Sequence, residues 1–233
     1  PPQFIFLDDF LCGLVDDLDC NTVRLVVNSE DRLRVMAHDD AHYHEVQKSA
    51  AFVLPDGKPL SVYSRKHGFP EAERVTGPDL MLELFARENG LKHYFYGGSP
   101  ETLQMLEQKL KERYPHLQIA GMVSPPFRSL SEKEDAAEVE KINASGADII
   151  WVGLGAPKQE NWMYDHRDKV HGVMIGDGAG FDYHAGNIKR APMWMQKLSL
   201  EWLYRLMQDP KRLFKRYLVT NTRYLWLTRT KRQ

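Results

Sequence analysis

The sequence predicts an α/β fold: a Rossmann-like, mostly parallel sheet with helices on both faces, followed by a C-terminal helical appendage. Three observations predict it. Short apolar runs alternate with helical patterns through residues 1–188. The connections between them are short, as strand–helix–strand units require. Beyond about Arg190 only helical patterns remain. The expected division is an α/β core over 1–188 and a basic, aromatic-rich appendage over 189–233.

The first strand is read at 23–27 (VRLVV), where β-branched residues dominate. A helical pattern follows at 30–46, then a strand at 51–54 (AFVL) that runs into Pro55-Asp56-Gly57-Lys58. Residues 79–89 read as a helix started by Thr76-Gly77-Pro78-Asp79, with Thr76 or Asp79 as cap and Pro78 in or near the first turn. A strand at 92–96 (KHYFY) ends in Gly97-Gly98-Ser99-Pro100. In the helix at 101–114, Leu103, Leu106 and Leu110 recur at i, i+3 and i+7, which marks one buried face. A strand at 117–121 and a helix at 131–145 follow. The run 149–153 (IIWVG) then enters Gly153-Leu154-Gly155-Ala156-Pro157-Lys158-Gln159-Glu160, a strand, tight turn and helix start. The last strand, 172–176 (GVMIG), continues as Asp177-Gly178-Ala179-Gly180-Phe181-Asp182, and helices at 192–208 and 210–227 close the chain.

Ligands of open α/β sheets bind beyond the carboxyl ends of the strands, so these turns are where function is expected. Several glycine-rich turns at one edge offer backbone N–H groups and helix N-termini to phosphate or sugar. Gly97, Gly98, Gly153 and Gly155 are candidates on that ground, although each such turn is by itself also a common packing device. No phosphate-binding GxxxxGK[ST] run occurs, and the dinucleotide pattern GxGxxG is broken in both GLGAPK and GDGAGF.

Asp56 follows an apolar strand and precedes a glycine. It can either abstract a proton or simply form an Asp-Gly turn, and spacing alone favours the turn. Arg74 stands next to a helix start, as a diphosphate clamp or as a surface ion-pair partner of Glu71 or Asp79. The acidic pairs Asp16–Asp19 and Asp39–Asp40 and the histidines His38, His42 and His44 lack metal-ligand spacing, so a solvated face is the better reading.

Charge is distributed unevenly. Residues 189–233 carry 12 Lys/Arg against 2 Asp/Glu, a balance of +10, while the whole chain sums to −1. Trp194, Trp202 and Trp226 lie in that segment with Tyr204, Phe214, Tyr217 and Tyr224. Basic residues mixed with amphipathic rings suit an anionic interface, and equally a packed helix pair with solvated charges. No apolar run reaches the roughly 18 residues of a membrane span, and the first residues lack a basic signal start. A soluble or peripheral protein is expected. The two cysteines form no CxxC pair, which fits a reducing, cytoplasmic setting.

The order of the motifs is more specific than any one of them. Asn28, PDG at 55–57, RVTGPDL at 74–80, YGGSP at 96–100, WVGLGAPKQENW at 151–162, DYHAG at 182–186, RAP at 190–192 and EWLYRL at 201–206 together resemble the WecG/TagA/CpsF family of bacterial glycosyltransferases (glycosyltransferase family 26). The resemblance covers about residues 24–227. It implies inverting transfer of a sugar from a UDP-sugar to a polyprenyl-diphosphate-linked saccharide, at the inner face of the cytoplasmic membrane, with no cofactor and no essential metal. The products of such enzymes feed teichoic acid, common antigen, capsule or exopolysaccharide.

By that resemblance Asp56 is the general base, reversing the preference for a turn residue. Asn28, Arg74, Gly97, Gly98, Gly153, Gly155, Gln159, Asp182 and Arg190 are substrate-binding positions. Arg205, Arg212 and Arg216 are the acceptor-diphosphate contacts of a membrane-facing appendage. Val26 departs from the family's threonine two residues before the asparagine, and the role of Lys158 stays open. The donor is N-acetylmannosamine, its uronic acid or glucose. Oligomeric state is open, a homo-oligomer included. The competing readings are a nucleic-acid-binding protein using the basic aromatic tail and an NAD-dependent enzyme. The first lacks any nucleic-acid module and the second lacks a fingerprint, so no nucleic-acid partner is expected.

Overall fold

Among the described residues, six strands form one sheet in the computed structural model: Arg24–Ser29 (β1), Phe52–Pro55 (β2), Lys92–Gly97 (β3), Gln118–Val123 (β4), Ile149–Gly153 (β5) and Val173–Gly176 (β6). The structure describes residues 24–29, 31–56, 61–62, 65–66, 74–198, 200–211, 213–214, 219 and 222–223, with backbone alone at 24–29, 31–34, 55 and 197. The strand order is β2-β1-β6-β5-β3-β4, and all five adjacent pairs are parallel.

Parallel pairing buries both faces, and the strands read accordingly as continuous apolar runs. Alternation sends Phe95, Trp151 and Ile175 to one face and Tyr94, Tyr96, Ile150, Val152 and Met174 to the other. The first face is covered by Gly77–Ala86 (α3), Pro100–Arg113 (α4) and Gly178–Ala185 (α7). Leu103, Leu106 and Leu110 of α4 are all buried there, on the stripe their spacing predicts. Ala41–Ser49 (α2), Glu132–Ala144 (α5) and Lys158–His166 (α6) lie on the opposite side. Each fully buried Leu, Ile or Phe contributes about 1.5–3 kcal/mol, so the three layers are held mainly by these two apolar clusters.

Three elements differ from the sequence reading. The helix expected over 30–46 is two, Asp31–Asp39 (α1) and α2. Asp40 breaks it by accepting from the His42 and Tyr43 N–H groups at 2.9 and 3.3 Å, which caps α2. The glycine-rich stretch after β6 is a helix, α7, because Asp177 accepts from Gly180 N–H at 3.0 Å and starts it despite two glycines. The helix expected over 192–208 divides into Met193–Lys197 (α8) and Glu201–Gln208 (α9). In the expected helix 210–227, the described residues 210–211, 213–214, 219 and 222–223 are helical.

The chain leaves β3 through α4 toward β4, and leaves the neighbouring β5 through α6 toward β6 on the other side. This reversal between adjacent strands is where open α/β sheets leave a crevice. Both strands end there in glycine. Gly97 adopts φ +126°, and a side chain on it would strike the Gly153 main chain. That approach lets Gly98 N–H donate to the Gly153 carbonyl at 3.0 Å and joins the two turns.

Candidate active site

The register of the sheet sets the order of the functional turns along its carboxyl edge. Asp56 follows β2, Asn28 lies in β1 beside Leu54, the Asp177 turn follows β6, and Gly153–Gly155 and Gly97–Gly98 follow β5 and β3. At roughly 4.8 Å per strand, Asp56 and the β5 turn are separated by about 14 Å. An elongated ligand is needed to reach both.

Asp56 is largely buried, with its side chain 19% exposed. Arg74 lies beside it, in the extended segment that Thr76 ends by capping α3. Arg74 Nε donates to the Asp56 main-chain carbonyl at 2.6 Å, and its Nη2 stands 3.7 Å from Asp56 Oδ1. The same Nη2 donates to Glu201 Oε2 at 2.8 Å, so the guanidinium joins the end of β2 to the first turn of α9. Glu201 Oε1 in turn lies 3.7 Å from Arg190 Nε. Arg190 grips Asp79 with both terminal nitrogens, each at 2.5 Å.

The result is a chain of alternating charge, Asp56–Arg74–Glu201–Arg190–Asp79, whose members come from three separate regions of sequence. Burial pushes the Asp79 carboxyl up. Hydrogen bonds from Arg190 and Thr76, with the charges of Arg190 and Arg74, more than offset this and hold it below the usual carboxylate range. The bond to Asp79 raises Arg190 against its own burial. Both groups are therefore ionised at neutral pH. One turn beyond Glu201, the Arg205 guanidinium sits 5.2 Å from the centre of the Tyr183 ring on α7. Burial pushes the Tyr183 hydroxyl up, with Arg205 opposing.

Other predicted residues hold the scaffold. Gln159 is 5% exposed; its Oε1 accepts from Gly155 N–H at 3.1 Å and its Nε2 donates to Glu160 at 2.9 Å. It thus fixes the turn that ends β5, while Lys158 is exposed. Asp182 accepts from Asn187 Nδ2 at 2.9 Å, and the same nitrogen donates to Thr102 Oγ1 of α4 at 2.9 Å. The side chains of Val26 and Asn28, and Gly57, Glu71, Arg212 and Arg216, lie outside the described residues, as do Asp16 and Asp19. Arg74 and Asp79, read as one candidate ion pair, each have a different main partner: Glu201 and Arg190.

Sequence reasoning did not single out Glu201 or Tyr183. A signal for Glu201 was present, because it is one of only two acids in the +10 segment. Asp39 and Asp40, weighed as metal ligands, are engaged with Arg223 and with the α2 cap. Among the described residues no three His, Cys, Asp or Glu side chains converge as a metal site.

The C-terminal helices expose several large apolar side chains. They are Met193, Trp194, Leu198, Trp202, Met207 and Phe214. Among the described residues no helix is long and apolar enough to cross a membrane.

The family model described as Glycosyl transferase WecG/TagA/CpsF family matches residues 12–233. The chain is also 31% identical over 218 residues to the N-acetylglucosaminyldiphosphoundecaprenol N-acetyl-beta-D-mannosaminyltransferase of Bacillus spizizenii, a match that spans 90% of this chain and 83% of that protein.

Proposed function

Because the chain belongs to the WecG/TagA/CpsF family of glycosyltransferases, we propose that it transfers a hexosyl group, with inversion, from a UDP-sugar to a polyprenyl-diphosphate-linked saccharide in cell-surface polysaccharide synthesis. The Bacillus spizizenii relative is named for an N-acetylmannosaminyl group and an undecaprenol-linked N-acetylglucosaminyl diphosphate. The same pair is the first substrate set we assign here. The observation that carries the reading is the largely buried carboxylate of Asp56 at the carboxyl end of β2, beside Arg74.

Asp56 takes the proton of the acceptor hydroxyl while that oxygen bonds to the anomeric carbon. The bond from that carbon to the diphosphate oxygen breaks on the opposite face, and its electron pair leaves with UDP. One base on one face gives inversion in a single displacement. Charge developing on UDP is met by Arg74, by backbone N–H groups of the glycine turns and by helix N-termini, so the step needs no metal. The 14 Å between Asp56 and the β5 turn lets the donor lie along the edge, with its nucleotide toward Gly97–Gly98 and Gly153–Gly155 and its sugar toward Asp56.

Residues 189–233 form the acceptor-facing appendage in this account. Their exposed Trp, Met and Leu side chains and +10 charge suit the head-group region of an anionic leaflet, and they hold the protein peripherally on the cytoplasmic face. Arg205, with Arg212 and Arg216, takes the acceptor diphosphate. Purified protein is incubated with a panel of UDP-hexoses and a polyprenyl-diphosphate N-acetylglucosamine acceptor, and the linkage is read by NMR. Product of inverted anomeric configuration is expected; a retained configuration, or no transfer from any UDP-hexose, contradicts the proposal.

A further inference from the structure

We propose that Glu201 is the positioning residue through which the C-terminal helix completes the catalytic centre, by holding the Arg74 guanidinium against Asp56. The inference rests on the reading of Asp56 as the base.

The geometry is specific. Arg74 reaches Asp56 through a 2.6 Å bond to its main-chain carbonyl and stands 3.7 Å from its carboxylate. Its shortest bond to an anionic side chain runs instead to Glu201, at 2.8 Å and across 127 residues of sequence. The Glu201 side chain is 12% exposed, so little water competes for that bond. A glutamate in the first turn of a helix commonly serves the helix itself, through the N-terminal N–H groups or the dipole. Here it is directed at Arg74 and Arg190 instead, and Leu200 at the cap position supplies no side-chain bond.

Asp79, the other carboxylate of the charge chain, is engaged by Arg190 through both terminal nitrogens. Glu201 is therefore the close carboxylate that, with the Asp56 carbonyl, orients Arg74, and it is present only while α9 is docked. Arg205 follows one turn later over Tyr183, so a single helix face carries both the tie to the base and a cation assigned to the acceptor. Docking of the acceptor-side helix and completion of the base are thus one event.

The consequence separates from a purely structural role. Without the Glu201 carboxylate, Arg74 keeps its charge and its bond to the Asp56 main-chain carbonyl but loses the partner that fixes Nη2 beside the Asp56 carboxylate. Turnover then falls while UDP binding is kept. Three variants are compared by steady-state transfer and by calorimetric titration with UDP. For Glu201→Gln, kcat falls about tenfold or more, the scale expected for a misplaced catalytic group, and the UDP Kd does not rise. Glu201→Asp, which restores the charge with a shorter reach, recovers part of the loss.

Either a kcat within about twofold of wild type in Glu201→Gln, or a kcat loss matched by proportionally weaker UDP binding and a lower Tm, overturns the proposal. Asp56→Asn separates the two levels. If it keeps full turnover, the reading of the base fails. If it is inactive while Glu201→Gln is fully active, only the role of Glu201 fails.

Discussion

Replacing Gly97 with alanine tests the junction of the two glycine turns, and Gly155→Ala provides the comparison. Both glycines have positive φ, +126° at Gly97 and +79° at Gly155, so alanine pays a backbone penalty at either position of about 1–3 kcal/mol. The sites differ in what surrounds them. A side-chain carbon at Gly155 meets nothing within 4 Å, whereas one at Gly97 overlaps the carbonyl and Cα of Gly153. Backbone cannot swing aside as a flexible side chain can, so β3 and β5 must separate or the Gly98–Gly153 hydrogen bond at 3.0 Å must break. Overpacking of this kind adds about 1–3 kcal/mol, and a lost backbone bond about 1 kcal/mol. Gly155→Ala should therefore cost about 1–3 kcal/mol, and Gly97→Ala about 2–4 kcal/mol more, in urea-unfolding free energy at unchanged m. UDP binding should weaken with Gly97→Ala even under conditions where the protein stays folded. Equal losses for the two variants refute the steric argument.

Two further outcomes follow from other parts of the molecule. His93 is buried and accepts from Trp151 Nε1 at 3.1 Å, and burial pushes its pKa down from 6.5 to about 4. Its folded value lies below its unfolded one, so stability is full above about pH 6.5 and falls as pH drops toward 4, by about 3 kcal/mol from this group. Replacing His93 with Gln, which keeps an acceptor without a titration in this range, should flatten that part of the urea-unfolding profile; an unchanged slope would discount His93. Exchanging the exposed Trp194 and Trp202 for Glu should cut sedimentation with anionic vesicles severalfold while leaving UDP affinity alone. Full vesicle binding by that double variant would mean that these two rings do not meet the membrane.

Periodicity made the layers legible, because it reports what each residue packs against within its own element. The Leu103–Leu106–Leu110 stripe and the run from Ile149 into Gly153 needed no distant information. The breaks at Asp40 and between α8 and α9 were hidden because apolar spacing continues through them; only a side-chain cap, or the demands of docking, decides where the turn falls. The α7 helix was obscured by its two glycines, whose cost of about 1 kcal/mol each is outweighed by the Asp177 cap and the burial of Phe181 and Ala185.

The candidate site was legible in the same uneven way. Motif order brought out Asp56, Arg74 and Arg190, but the partners that fix their geometry are far away in sequence. Glu201 lies 127 residues from Arg74, and Asp79 lies 111 from Arg190. No local pattern encodes such pairs. Gln159 was reached through the resemblance alone, and what its own position could not show is that its buried side chain also holds the glycine turn.

Proton transfer by Asp56 in an inverting hexosyl transfer separates cleanly from donor binding. On one preparation of Asp56→Asn, both the UDP Kd and the single-turnover rate of transfer to a polyprenyl-diphosphate acceptor are measured. A UDP Kd close to wild type is expected, with a rate lower by about 10²–10⁴-fold, the usual contribution of a positioned general base. A rate close to wild type would contradict that role of Asp56.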